Sequence, residues 1–306
     1  MDHDGGVDDF LSLLLLLNMD HIDLLAVIIT PADCYLENAY ATTCKLMALT
    51  NKTHIPIGIG NYYGINAFPS QWRAAPKVLN ALPAMINIDM EENFGHLPSA
   101  AALLAKTIAE STEPVTVLLT GPCSNLVQVL EKDVSLTSKI KEVVWMAGAV
   151  NVPGNVKTYN SNGTQEWNIF WDAPSANKLL TMDLPLTFIP LDATNAVPVD
   201  FKFLKRLAKK SDHPFANLAA QFWATTVATV PSYETIYFMW DVLTSSYLAI
   251  PEIFNFEKLE IHIPPSGADA GRTIRQPGNG QWVKLAMYAD KEAFYNYVID
   301  QFTGIK

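Results

Sequence analysis

Four aspartates crowd the start of the chain: Asp2, Asp4, Asp8 and Asp9, with Gly5-Gly6 between the pairs. Directly after them comes Phe10-Leu11-Ser12-Leu13-Leu14-Leu15-Leu16-Leu17, which belongs in a core. Carboxylates packed this tightly against an apolar helix repel one another unless positive charge sits among them. A hard divalent cation such as Mg²⁺ or Ca²⁺, which takes oxygen ligands, is the natural candidate. Asp8 and Asp9 alone are explained as first-turn acids on the helix dipole, with Gly5-Gly6 as a strand-to-helix turn. That explanation does not reach Asp2 and Asp4. Alternate residues of an extended segment point to the same side, so both aim where the helix starts. The cluster as a whole points to a metal site.

Two further groups could join such chemistry. Asn155, Glu166 and Asn168 lie in one polar stretch that runs to Trp171-Asp172-Ala173-Pro174, where Asp172 reads as a helix cap. Singly, each of the three reads as a loop stabiliser. Together they offer one carboxylate and two amides, the donors and acceptors that hold a sugar's hydroxyls. Trp240-Asp241 opens a helix through Val242-Leu243-Thr244. It reads either as a capping acid beside a core tryptophan, or as a distant carboxylate that completes a cation's shell.

Two aspartate motifs are excluded. An EF-hand loop starting at Asp2 or Asp4 needs a carboxylate at its twelfth position, where Leu13 and Leu15 stand. Phosphatases of the haloacid dehalogenase type continue Asp-x-Asp-Gly with Thr or Val, where Gly6 stands. The 306 residues are 49% hydrophobic with a net charge of −10. That suits one large domain with a substantial core. Without a basic cluster interleaved with aromatics, nucleic acid is not an expected partner. The apolar run at 10–17 is too short to span a bilayer, so no membrane partner is expected either. The three cysteines, Cys34, Cys44 and Cys123, have no metal spacing and suit a reducing compartment, which favours the cytoplasm.

The elements that must position these residues follow a βαβα rhythm. Helices are expected at 10–18, 38–49 and 99–110, from Leu126, and at Lys291–Phe302. Strands are expected at 24–29, 55–59, 115–119, 141–146, 258–263 and 282–286. The short, continuously apolar runs predict strands buried on both faces of one doubly wound, mainly parallel sheet flanked by helices. Thr30-Pro31-Ala32-Asp33 follows a strand's carboxyl end, where such sheets place ligands. Residues 60–96 read as an irregular active-site loop, and Lys205–Lys210 as a solvated helix face. One oddity stands out. Asp2 and Asp4 need a strand to carry them, yet only Met1 precedes. Either the chain as given begins late, with a first strand missing or truncated, or the sheet is built without it.

Asp-x-Asp-x-x-x-Asp-Asp resembles the N-terminal signature of nucleoside hydrolases, and the rest of the chain extends the likeness. Thr120-Gly121-Pro122-x-x-Asn125, Gly154-Asn155-Val156, Glu166-Trp167-Asn168, Asp192-Ala193-Thr194-Asn195-Ala196-Val197-Pro198-Val199 and Trp240-Asp241 stand in that family's order and approximate spacing. Asp2-His3-Asp4-Gly5, Ala32-Asp33-Cys34, Gln71-Trp72-Arg73 and the Trp before the late Asp look like its purine-specific, inosine–adenosine–guanosine preferring branch. The resemblance implies Ca²⁺ held by the carboxylates of Asp4, Asp9 and Asp241 and the backbone carbonyl of Thr120. It implies Asp4 as general base, and Asp8, Asn155, Glu166, Asn168 and Asp241 on the ribose. It implies Trp72 and Trp240 around the purine, Asp33 in contact with it, Asp2 behind the cluster, and a homodimer.

The implied reaction is hydrolysis of a purine nucleoside's N-ribosidic bond. Its transition state is oxocarbenium-like, and a pocket of carboxylates stabilises that positive charge. Indole faces favour a protonated purine, and pyrimidines have no N7 to protonate. Two other readings remain open. One is a catalytically inactive relative that binds nucleoside or serves as an interaction protein, motivated by the short leading strand. The other is a metal-dependent phosphatase, for which no phosphate-cradling glycine loop is present.

Overall fold

The computed structural model describes residues 1–90, 94–229 and 236–304. Nine strands form one sheet: β1 (Asp2–His3), β2 (Val27–Ile29), β3 (Ile57–Ile59), β4 (Val115–Leu119), β5 (Ile140–Trp145), β6 (Leu186–Phe188), β7 (Phe254–His262), β8 (Ile274–Arg275) and β9 (Gln281–Ala289). Their order is β3-β2-β1-β4-β5-β6-β9-β7-β8. All pairings from β3 across to β9 are parallel; β7 runs antiparallel to both β9 and β8.

The helices cover both faces, as the sequence predicts. The first half contributes α1 (Val7–Leu17), α2 (Leu36–Leu49), α3 (Ser70–Arg73), α4 (Ala75–Asn80), α5 (Pro83–Ile86), α6 (Ala100–Glu110) and α7 (Ser124–Lys132). The second half contributes α8 (Trp167–Trp171), α9 (Ala173–Leu180), α10 (Leu191–Thr194), α11 (Phe201–Ala208), α12 (Pro214–Thr229), α13 (Trp240–Ser246) and α14 (Lys291–Thr303). Strand residues alternate between two cores. Val27, Ile29, Leu118 and Val144 pack with α1, α2, α12, α13 and α14, whereas Ile28, Val117, Leu119, Val143 and Trp145 pack with α6, α7 and α9. That is the period-two pattern of strands buried on both sides.

The sheet is not built without its leading strand. β1 is a two-residue strand at the centre, between β2 and β4, with Asp2 opposite both Ile28 and Leu119. Thr30 N donates to His3 O at 2.8 Å and Thr120 N to Asp2 O at 2.9 Å. Both edges of this short segment are thus tied, and Asp4 emerges at its end. Helix α1 starts at Val7, three residues ahead of the predicted start, because Asp8 and Asp9 form its first turn. Every one of its residues is buried.

Residues 60–96 are less irregular than expected: α3, α4 and α5 form within them, two opening on a proline at the first or second helical position. Proline there loses no helical hydrogen bond. Residues 91–93 of this stretch lie outside the described residues. Among the described residues no helix is long and apolar enough to cross a membrane.

Candidate active site

The carboxyl ends of the central parallel strands open into a cavity of about 590 Å³. This is where open α/β sheets bind ligands. Asp4 follows β1, Asp33 follows β2, Thr120 follows β4 and Met146 follows β5, and all four line it. Asp9 comes from the first turn of α1 and Asp241 from that of α13. Two glycines let these segments meet. Gly5 has φ +82°, and a Cβ on it would stand 2.6 Å from Cys34 Cβ; one on Gly121 would stand 2.8 Å from Asp4 Cβ.

The floor is a crowd of acids. Asp9 Oδ1 accepts from Thr120 Oγ1 at 2.5 Å, and its Oδ2 from Gly6 N at 2.8 Å. Asp4 hydrogen-bonds to Asp9, while its Oδ2 is buried without a partner, as is Asp33 Oδ1. Burial first, and then the neighbouring carboxylates, hold Asp4, Asp33 and Asp241 well above the usual carboxylate range. Burial also raises Asp9. Asp2 supports the group from behind: Thr30 Oγ1 donates to its Oδ1 at 2.7 Å and Asn125 Nδ2 to its Oδ2 at 3.1 Å. Its own carboxyl is pushed up to about 6 by burial.

Among the described residues, no three His, Cys, Asp or Glu side chains stand ready in ligand geometry. Asp9 is turned to Thr120 and Gly6 instead. The donor set nonetheless fits a hard cation. Unpartnered buried carboxylate oxygens are costly unless a proton or a positive ion meets them. A shell of carboxylate and carbonyl oxygen is what Ca²⁺ and Mg²⁺ take.

The sugar-binding candidates divide their hydrogen bonds in a definite way. Asn168 Nδ2 donates to Thr120 O and to Met146 O, both at 2.9 Å, which leaves its side-chain oxygen free to accept. Asn155 Oδ1 accepts from Trp167 N at 3.1 Å, which leaves its amide to donate. Glu166 caps α8, accepting from Asn168 N at 2.8 Å and Gly148 N at 3.1 Å. Burial pushes its carboxyl up to about 7. The Thr120 carbonyl, bonded once by Asn168, keeps a second lone pair.

Asp8 is the exception. It is fully buried and does not line the cavity. Its Oδ2 accepts from Asp241 N at 2.5 Å and Val242 N at 3.2 Å, and its Oδ1 from Trp223 Nε1 at 3.3 Å. This side chain of α1 therefore caps α13 and holds the first turn that bears Asp241. Asp241 is not itself a cap, whereas Asp172 is one for α9, accepting from Ser175 N at 3.3 Å.

Aromatic rings form the walls. Trp72 meets Trp167 edge to face at 5.8 Å, and Trp167 stacks on Phe68 at 4.5 Å. Trp240 belongs to a second cluster, with Tyr237 at 4.7 Å and Phe238 at 5.8 Å. Both clusters and Asp33 line the same cavity. Phe68 lies in the 60–96 stretch expected to be an active-site loop. Met146, Tyr237 and Phe238 are not among the sequence candidates; the Tyr237-Phe238 pair just ahead of Trp240-Asp241 is the signal that points to the latter two.

The family model described as inosine-uridine preferring nucleoside hydrolase matches residues 1–296. The crystal structure of an inosine-uridine preferring nucleoside hydrolase from Bacillus anthracis superposes with a TM-score of 0.88 at 30% identity, covering 99% of this chain and 97% of that one. A probable uridine nucleosidase 1 from Oryza sativa subsp. japonica is 23% identical over 291 residues, 92% of this chain and 86% of its own length. A purine-preferring ribonucleoside hydrolase from Gardnerella vaginalis shares the fold, with a TM-score of 0.83 at 20% identity over 99% of this chain and 97% of that one.

Proposed function

Since the chain belongs to the nucleoside hydrolase family, we propose that it hydrolyses the N-ribosidic bond of purine nucleosides to free base and ribose, with the help of Ca²⁺. One observation carries the reading most: buried carboxylates at one end of the cavity and two tryptophan-bearing walls around it. The acids suit a ribose that develops positive charge, and the indoles suit a flat leaving base. The names of the relatives carry uridine and purine preferences alike, so the purine is argued from these walls.

The chain's own residues supply the rest. Asp4, which lines the cavity and has one carboxyl oxygen without a partner, takes the proton of the attacking water. Asp4, Asp9, Asp241 and the Thr120 carbonyl would hold the divalent cation, which would supply an oriented, more acidic water. Asn155 donates to a ribose hydroxyl and Asn168 and Glu166 accept, which fixes the sugar's orientation. The carboxylate floor favours the oxocarbenium-like transition state over the neutral ground state. Trp72 and Trp240 flank the base, and a protonated purine leaves as a neutral molecule. Asp8 acts through α13. We also carry the homodimer as a proposal, which sedimentation equilibrium checks.

The test is ribose release from inosine, without phosphate, with and without a chelator, beside uridine. Chelator-sensitive release that favours inosine supports the proposal. Faster release from uridine overturns the purine preference. No release from folded, calcium-loaded protein overturns the hydrolase reading in favour of a nucleoside binder.

A further inference from the structure

Helix α3, which bears Trp72, is joined to the loop that bears Asp33 at one residue. Tyr35 N donates to Arg73 O at 3.1 Å, so the backbones of the two segments are tied. The Arg73 side chain returns across the same gap: its Nε and Nη2 both lie 3.4 Å from Cys34 O. Its guanidinium carbon sits 4.7 Å from the centre of the Tyr35 ring, in cation–π contact. The loop it grips cannot shift freely on the other side. Cys34 packs against Gly5 of the aspartate turn, and its Sγ donates to Thr30 O at 3.6 Å. The Arg73 charge also favours the ionised form of Asp33, against burial and the neighbouring acids.

We propose that Arg73 is a positioning residue: it clamps the wall bearing Trp72 to the loop bearing Asp33, and thereby sets how well the enzyme acts on purine nucleosides relative to ribosides whose leaving group needs no base recognition. The inference rests on the hydrolase reading above. Arg73 is not among the residues lining the cavity, so it works through its neighbours. A forked, planar guanidinium makes two donations to one carbonyl while stacking on a ring; a lysine cannot do both.

The test compares the wild type, Arg73→Met and Arg73→Lys on inosine and on p-nitrophenyl riboside, whose leaving group departs unaided. A misplacement of about 1 Å costs on the order of a hundredfold, so Arg73→Met is expected to lose about 10- to 100-fold in kcat/KM on inosine and less than about threefold on p-nitrophenyl riboside. Arg73→Lys should fall between. Equal losses on both substrates, or none on inosine, overturn the proposal. If Arg73→Met does not fold, as circular dichroism shows, Arg73→Lys carries the same comparison. If the wild type releases ribose from neither substrate, the hydrolase reading falls by itself. The clamp is then read from quenching of tryptophan emission by hypoxanthine: a weaker Kd in the variant supports it, and an unchanged Kd overturns it.

Discussion

Asp4 is an uncomfortable side chain: a buried carboxyl, one oxygen without a partner, three other acids around it. If it is the general base, Asp4→Asn lowers kcat by about 10²- to 10⁴-fold. The same change removes one member of a repelling group, so the Tm of the variant in chelator should equal or exceed that of the wild type. A lower Tm would mean that Asp4 mainly holds the fold. The two tryptophans predict a contrast. Trp72→Ala and Trp240→Ala should each cut turnover on inosine far more than on p-nitrophenyl riboside. Equal losses would reject leaving-group activation. Glu166 gives a pH signature. Its folded-state pKa is raised from 4.5 to about 7, so the folded chain holds that proton more tightly than the unfolded one. The stability this contributes is complete below pH 4.5 and is lost as the pH rises through about 7. In metal-free protein, Tm should fall over that interval, and Glu166→Gln should flatten the slope.

At the scale of elements, the site is two helix starts side by side on one face of the sheet, at the carboxyl ends of its strands. Helix α1 supplies Asp9 to the floor and Asp8 to the cap of α13, whose first turn supplies Asp241. Ser12 and Ser245 hydrogen-bond between the same helices one turn further on. At the far end of α13, Tyr247 Oη donates to Glu142 of β5 at 3.1 Å, so this helix is pinned at both ends. Asp8→Ala should cost about 0.5–2 kcal/mol as a lost cap. It should also weaken cation binding through a displaced Asp241, which a calcium titration followed by Tm would show. Unchanged calcium affinity would reject this route from Asp8 to the cation. The sequence made much of this legible, because motif residues sit at the ends of apolar runs whose period is plain. Two features were not. Asp8 and Asp9 look equivalent in sequence, yet neighbouring helix positions face about 100° apart, so one carboxylate meets the cavity and the other meets α13. The short helices of 70–86 escape sequence reading because they have only four, six and four residues, too few for a period to appear.

The whole molecule links ligand to stability. Among the described residues no salt bridge reaches Asp4, Asp9, Asp33 or Asp241, so calcium should stabilise the fold by about 2.7 kcal/mol at a hundredfold excess over Kd and raise Tm in a concentration-dependent way. A Tm indifferent to calcium would sink the metal assignment. The cap between residues 8 and 241 also has a meaning in time. Its partners are 233 positions apart in the chain. At ribosomal speeds of about 5–20 residues per second, α1 waits roughly 10–50 s after its synthesis for the helix that its Asp8 holds. Throughout that interval the leucine-rich stripe of α1, buried on every side in the finished protein, lacks part of its cover. The acids at its head have not yet met Asp241. If Asp9 and Asp241 hold the cation as proposed, catalytic competence is among the last things this chain acquires, and α1 is least covered while the aspartate motif has already left the ribosome.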